Sequence, residues 1–388
     1  MNLARVTERF WFPSLLVLGV GCAVSNSLMS VGVFLITLLI SQKFLEARPQ
    51  PLPWHLRWGF AYALWLSLGV LFLIPADAWL SKFGNIVMIL GWVLSTYPPR
   101  RSLSDRQLRW IEALLVVAYL VLWARCWHQH YELKLRRVNG FHQNPNYLSA
   151  AIMPALIYFG QRLLSALRDH RRWGLIYLMP IAIASHLFFM TLTRSVFPIF
   201  VLYMAYLVVM ILHLSVTRRS LRLAGMVLLT SATSALAYLF TFSKFYRRLD
   251  WQKFLNDPAV LSRMEIWKIN WQHFLDSPIW GVGLLNNKVA VADHPVLQQW
   301  MRVETSGFLA HNTYVQILAE SGAVGIALFL LFMICAVRAV LPLRWFFVLI
   351  LITGLGDTAL HMDRAMPSLI FFSLLTMIVA TREDMARA

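Results

Sequence analysis

Long apolar runs alternate with short polar stretches along the chain, and a run of about 17–25 residues is enough to cross a bilayer as a helix. Such runs occupy residues 10–25, 28–45, 57–75, 79–97, 108–127, 147–164, 173–192, 195–215, 222–242, 314–337, 344–360 and 366–381. The pattern predicts an all-α integral membrane protein of about 12 transmembrane helices. Connections are short with one large exception, the polar loop from Ser243 to Asn312 between the ninth and tenth runs. Three regions follow: helices 1–9 over residues 1–242, the loop over 243–312, and helices 10–12 over 313–388.

At 59% hydrophobic and 14% charged, the 388 residues do not compose a soluble domain. Arg5 and Arg9 ahead of the first run superficially resemble a signal peptide, but a second run follows at once, so an uncleaved first span is expected. Cys22, Cys126 and Cys335 sit in or beside separate runs at no ligand-like spacing, which leaves neither a disulfide framework nor a metal site.

Charge then orients the bundle, because Lys and Arg accumulate on cytoplasmic loops. With the N-terminus inside, 20 of the 35 basic residues fall on cytoplasmic segments, and an even number of spans returns the C-terminus to the same side. The remaining 15 are concentrated on the outer face. Eight of them lie in the long loop: Lys244, Arg247, Arg248, Lys253, Arg263, Lys268, Lys288 and Arg302. Four more, Arg125, Lys134, Arg136 and Arg137, follow the fifth run, and Arg194 stands between the seventh and eighth. Long loops translocate largely regardless of charge, so contact with anionic headgroups is one reading. A bound polyanion such as a diphosphate is the other, since arginine offers a planar, always-charged fork.

Within the loop, Ser262-Arg263-Met264-Glu265 has the form of a capping box opening a helix to about Asp276, stopped by Pro278 and Gly281. Trp267, Trp271 and Phe274 then form an aromatic stripe, with Arg263 one turn before it. The stripe suits either an amphipathic helix on the lipid surface or a platform for stacking sugars. A second interfacial helix is expected over 243–255, and turns at Pro278–Gly283 and Asp293–Pro295.

Candidate chemistry gathers at the end of the loop. His311 borders the most basic outer segment, and cationic neighbours favour a neutral imidazole able to accept a proton. Asn312, Tyr314, Gln316, Glu320 and the pair Gly322 and Gly325 follow it. Upstream, Asn144-Pro145-Asn146 reads as a fixed turn, with His142 just before it and Arg194 within Thr193-Arg194-Ser195. Metal-dependent transferases hold a cation through paired carboxylates, but Asp77, Asp357 and Asp363 form no such pair. Any diphosphate here would be neutralised by arginines, and no cofactor is expected.

Taken together, His311-Asn312-x-Tyr314-x-Gln316-x-Leu318-x-Glu320-x-Gly322-x-x-Gly325, Pro278-Ile279-Trp280-Gly281-Val282-Gly283, Thr193-Arg194-Ser195 and Asn144-Pro145-Asn146 resemble the bacterial O-antigen ligase and polymerase superfamily. The resemblance implies a fold like that of the GT-C glycosyltransferases, with a large periplasmic helical loop between helices 9 and 10. It implies a multi-pass protein of the bacterial inner membrane with cytoplasmic termini and a periplasmic active site. The implied donor is undecaprenyl-diphosphate-linked O-antigen and the implied acceptor a sugar of lipid A–core, with no nucleic acid partner. An O-antigen polymerase or a protein O-oligosaccharyltransferase of the same superfamily remains an alternative, and so does a transporter of lipid-linked sugars. By motif position, Arg194 and Arg263 would bind diphosphate and His311 would act at the acceptor. Asn312, Asn146, His142, Arg136, Arg247, Trp267 and Tyr314 would support them or touch substrate.

Overall fold

A computed structural model describes residues 3–24, 26–47, 51–97, 103–135, 138–141, 145–169, 172–191, 193, 195–215, 258–287, 310–355 and 366–387. Its helices are α1 (Leu3–Val24), α2 (Asn26–Ala47), α3 (Trp54–Leu73), α4 (Trp79–Ser95), α5 (Asp105–Trp127), α6 (Pro145–Arg168), α7 (Leu178–Thr191), α8 (Phe197–Ser215), α9 (Pro258–Asp276), α10 (Thr313–Ala339), α11 (Arg344–Thr353) and α12 (Met366–Arg387). Eleven of them coincide with expected spans, and the expected ninth span at 222–242 lies outside the described residues. Six helical segments among the described residues are long and apolar enough to cross a membrane, and five shorter apolar helices accompany them.

These segments are helical because an apolar chain away from water must satisfy its backbone internally. One continuous apolar core runs through the bundle, and α6 and α12 are deeply enclosed in it, with Leu148–Gly160 and Met366–Val379 buried throughout. Glycines let helices approach closely. A side chain at Gly32 would stand 2.6 Å from the Leu18 backbone, joining α2 to α1, and one at Gly160 would strike Leu207 of α8 at 3.0 Å. A buried ionic cluster fastens α5 to α6: Arg162 Nε and the Tyr158 hydroxyl each donate to Glu112 Oε1 at 2.7 Å, and the Tyr177 hydroxyl donates to Oε2 at 2.9 Å.

Helix directions follow from one long-range bond. Gln161 Nε2 donates to the Pro342 carbonyl at 2.9 Å, in the turn after α10. Gln161 lies about 24 Å along α6 from Pro145, and the end of α10 is about 35–40 Å from Thr313, at 1.5 Å per residue. The starts of α6 and α10 therefore share the opposite face of the bundle. The other face carries the arginine-bearing helix ends, including exposed Arg106, Arg109, Arg168, Arg338 and Arg344.

Candidate functional site

Residues of the long loop reach the bundle through α9. This helix begins at Pro258, four residues before the expected cap, because proline supplies the first-turn φ and its missing N–H would have no helical partner anyway. Ser262 is therefore inside the helix, and Glu265 pairs with Lys268 at 3.0 Å instead of completing a capping box. The end at Asp276 agrees with expectation. Ile266 and Ile269 bury against Ala310, and the Trp267 indole Nε1 donates to the Ala310 carbonyl at 2.6 Å. The aromatic stripe is thus divided: Trp267 docks on the residue before His311, whereas Trp271 is 52% exposed and rests beside Phe274 at 5.2 Å. Arg263 lies one turn before Trp267 on this docked helix.

Beneath the α9–α10 contact runs a chain of buried amides. Asn270 Nδ2 donates to the Ile266 carbonyl at 2.8 Å, and Asn287 Nδ2 donates to Asn270 Oδ1. Gln316 Nε2 donates to Asn287 Oδ1 at 2.8 Å and also to Glu320 Oε1, while Gln316 Oε1 accepts the Ala310 N–H at 2.8 Å. Each amide hydrogen and the oxygen of Gln316 is used, so this buried side chain is fully satisfied. Ala310, fully buried, is held from both sides, its N–H by Gln316 and its carbonyl by Trp267.

That grip positions His311. Its φ is +49°, a left-handed conformation uncommon outside glycine, held here by the bonds on either side. On its other side Asn312 caps α10, its Oδ1 accepting from the Tyr314 and Val315 N–H groups at 3.0 and 3.1 Å. Asn312 Nδ2 donates to the Leu355 carbonyl at 3.1 Å, the Thr313 N–H to Gly354 at 2.7 Å, and the Tyr314 hydroxyl to Leu351 at 2.7 Å. Tyr314 and Asn312 therefore tie the start of α10 to the end of α11, and His311 sits half-buried at the junction of three helices.

The glycines after His311 serve a different purpose. At Gly322 (φ +68°, ψ −169°) α10 breaks, and the turn Pro278–Gly283 inserts into the gap. A straight helix would bond Ala323 N–H to the Ala319 carbonyl. Here Ala323 N–H donates to Pro278 at 2.8 Å, and the Ala319 and Glu320 carbonyls accept from Val282 and Gly283 at 2.9 and 3.0 Å. Kinks at Gly/Ser pairs are tolerated at depth when the freed groups find partners in this way. Trp280 stacks on Trp65 of α3 at 4.2 Å, and the Trp65 indole donates to the Ser321 carbonyl at 2.9 Å.

A second group forms where α6 starts. Thr193, buried, places its hydroxyl 3.4 Å from the Pro145 carbonyl and 3.5 Å from Asn146 Oδ1, so the two upstream motifs meet. Beside them α5 ends in a π-helical turn, His128–Glu132, of the kind frequent at functional sites. Its buried Gln129 accepts from the N–H groups of Asn139 and Gly140 and donates to Asn139 Oδ1 and the Gly140 carbonyl. This fixes Asn139 and Gly140 against the end of α5. Arg194, Arg136, His142 and Arg247 lie outside the described residues, as do the expected helix at 243–255 and the turn at 293–295.

The structure thus puts Arg263, Trp267, His311 and Asn312 on docked elements, and Asn146 with Thr193 on the same face. Sequence reading missed Asn270, Asn287 and Gln129. The available signal was an amide on the otherwise apolar inner face of α9, Ile266-x-x-Ile269-Asn270. Among the described residues no group of three or more His, Cys, Asp or Glu side chains comes together. Residues 179–330 match a family model described as O-antigen ligase. The matched stretch contains Thr193–Ser195, Arg263 and the segment from His311 through Gly325. No curated protein matches the chain.

Proposed function

We propose, from the match of residues 179–330 to a family model described as O-antigen ligase, that this protein is an O-antigen ligase acting at the periplasmic face of the inner membrane. The polysaccharide passes from undecaprenyl diphosphate to a sugar of lipid A–core. The observation that carries this reading is the docking of α9 on the start of α10. It brings a helix bearing Arg263 against a strained, half-buried His311 held at Ala310 and Asn312.

In the proposed reaction His311 takes the proton of an acceptor hydroxyl as its oxygen attacks the anomeric carbon from the side opposite the donor linkage. The bond from that carbon to the diphosphate oxygen breaks, its electron pair leaves with undecaprenyl diphosphate, and the anomeric configuration inverts. Arg263 and Arg194 stabilise the charge growing on the leaving diphosphate. Arginines in place of paired carboxylates make the reaction metal-independent. Trp267 acts here by fixing Ala310, and Tyr314 and Asn312 by fixing the mouth of α10.

Purified protein in detergent, supplied with lipid-linked O-antigen and lipid A–core in the presence of EDTA, tests the proposal. The wild type is expected to transfer. His311→Ala and Arg263→Ala each remove a contact made in the transition state and are expected to lose about 10²–10³ in rate. Near-normal transfer by either variant would overturn the role given to that residue. Formation of longer lipid-linked chains without transfer to lipid A–core would replace the ligase reading by that of a polymerase.

A further inference from the structure

On the opposite face of the bundle, far from His311, a cavity of about 570 Å³ opens between α6, α8, α12 and the turn after α10. Its volume is within the range of small-molecule sites, about 300–1,000 Å³. The polar wall is contributed by Gln161, Arg162, Ser165, Arg168 and Thr376, and the remaining wall by apolar and aromatic groups such as Leu341 and Tyr206. Arg162 is fixed in place by Glu112, whose carboxylate is already occupied by the three donors described above. Arg168, one and a half turns further along α6, is exposed at the helix end. Thr376 is 6% exposed, lines the cavity, and its hydroxyl has no hydrogen-bond partner among the described residues. A buried hydroxyl left in this way is costly unless something else meets it.

We infer that this cavity holds the phosphodiester headgroup of an anionic membrane phospholipid, with Arg168 on the phosphate and Thr376 on a headgroup or ester oxygen. Three features select that occupant. The walls are formed by helices of a membrane bundle, so lipid is the molecule at hand. The cavity combines cationic and apolar lining, matching a phosphate joined to methylenes. It opens on the arginine-bearing end of the bundle, where Arg338 and Arg344 are also exposed, and basic pockets between spanning helices are suited to acidic headgroups.

The test does not involve glycan transfer and is independent of the proposed activity. Native mass spectrometry of the full-length protein, released from detergent after incubation with phosphatidylglycerol or phosphatidylcholine, would read retained lipid directly. Preferential retention of phosphatidylglycerol is expected, reduced about fivefold in Arg168→Gln, the typical contribution of one arginine at an acidic headgroup. Thr376→Val, which keeps shape and removes the hydroxyl, should also lower retention. Equal retention of the two lipids, or equal retention of phosphatidylglycerol by wild type and Arg168→Gln, would overturn the inference. So would displacement of the lipid by inorganic phosphate alone, which would make the site one for free phosphate.

Discussion

Replacing Gly322 by alanine tests the central structural argument about the long loop. The mutated residue would face two routes, both unfavourable. If α10 keeps its break, a Cβ at Gly322 overlaps the Ile279 carbonyl and stands 2.8 Å from the Trp280 nitrogen, in a positive-φ extended conformation that is nearly confined to glycine and costs an L-residue about 1–3 kcal/mol. If α10 straightens, the turn must leave, with its three backbone bonds of 2.8–3.0 Å and the Trp65–Trp280 stack. Each such bond has a net worth of about 0.5–1.5 kcal/mol. Either route destabilises the α9–α10 junction by about 3–5 kcal/mol. Thermal unfolding in detergent should show a midpoint lowered by roughly 5 °C or more, with faster proteolysis in the Ser277–Leu284 segment. Gly69→Ala is the matched control, since a Cβ there meets nothing within 4 Å and alanine favours the helix. If Gly322→Ala melts like wild type and like Gly69→Ala, the broken-helix reasoning fails.

Two further substitutions probe buried polar groups. Gln316→Leu removes the amide that joins Ala310, Asn287 and Glu320 and strands those groups, at about 1–3 kcal/mol for each left unsatisfied; lowered thermal stability together with lost transfer is expected, and a stable, active variant would contradict the network's role in holding His311. Glu112→Gln leaves Arg162 buried without its carboxylate and should destabilise by about 3–5 kcal/mol; combining it with Arg162→Met should restore much of the melting midpoint, and failure of the double variant to recover would argue against the ion pair as the origin.

Different parts of the molecule were legible to different degrees. The apolar runs marked eleven of the helices, because length and hydropathy are local properties that a bilayer-sized helix must express. Shorter α11, ending at Thr353, departed from the expected 344–360 run at Gly354, where the chain turns to receive Thr313. At the site, His311–Asn312 was found as a motif, but the capping box at Ser262 was displaced by Pro258, a competing start signal four residues upstream. Gly322 and Gly325 were visible only as part of a pattern; that Gly322 admits a turn from 40 residues earlier is a property of packing.

From the amino-acid order alone came the helical membrane architecture, the concentration of basic residues in two loops, and the His-Asn at the end of the long loop. Each depends on neighbours along the chain: hydrophobic length, charge placement and capping. Only tertiary structure decided what holds that histidine and the group at the start of α6. The Trp65–Ser321 bond spans 256 positions, Gln129 reaches over the loop to Gly140, and Asn270, Asn287, Gln316 and Glu320 meet from three separate segments. Amides buried among apolar helices must find partners wherever docking brings them, and docking is set by the shapes of whole helices, which no local pattern encodes.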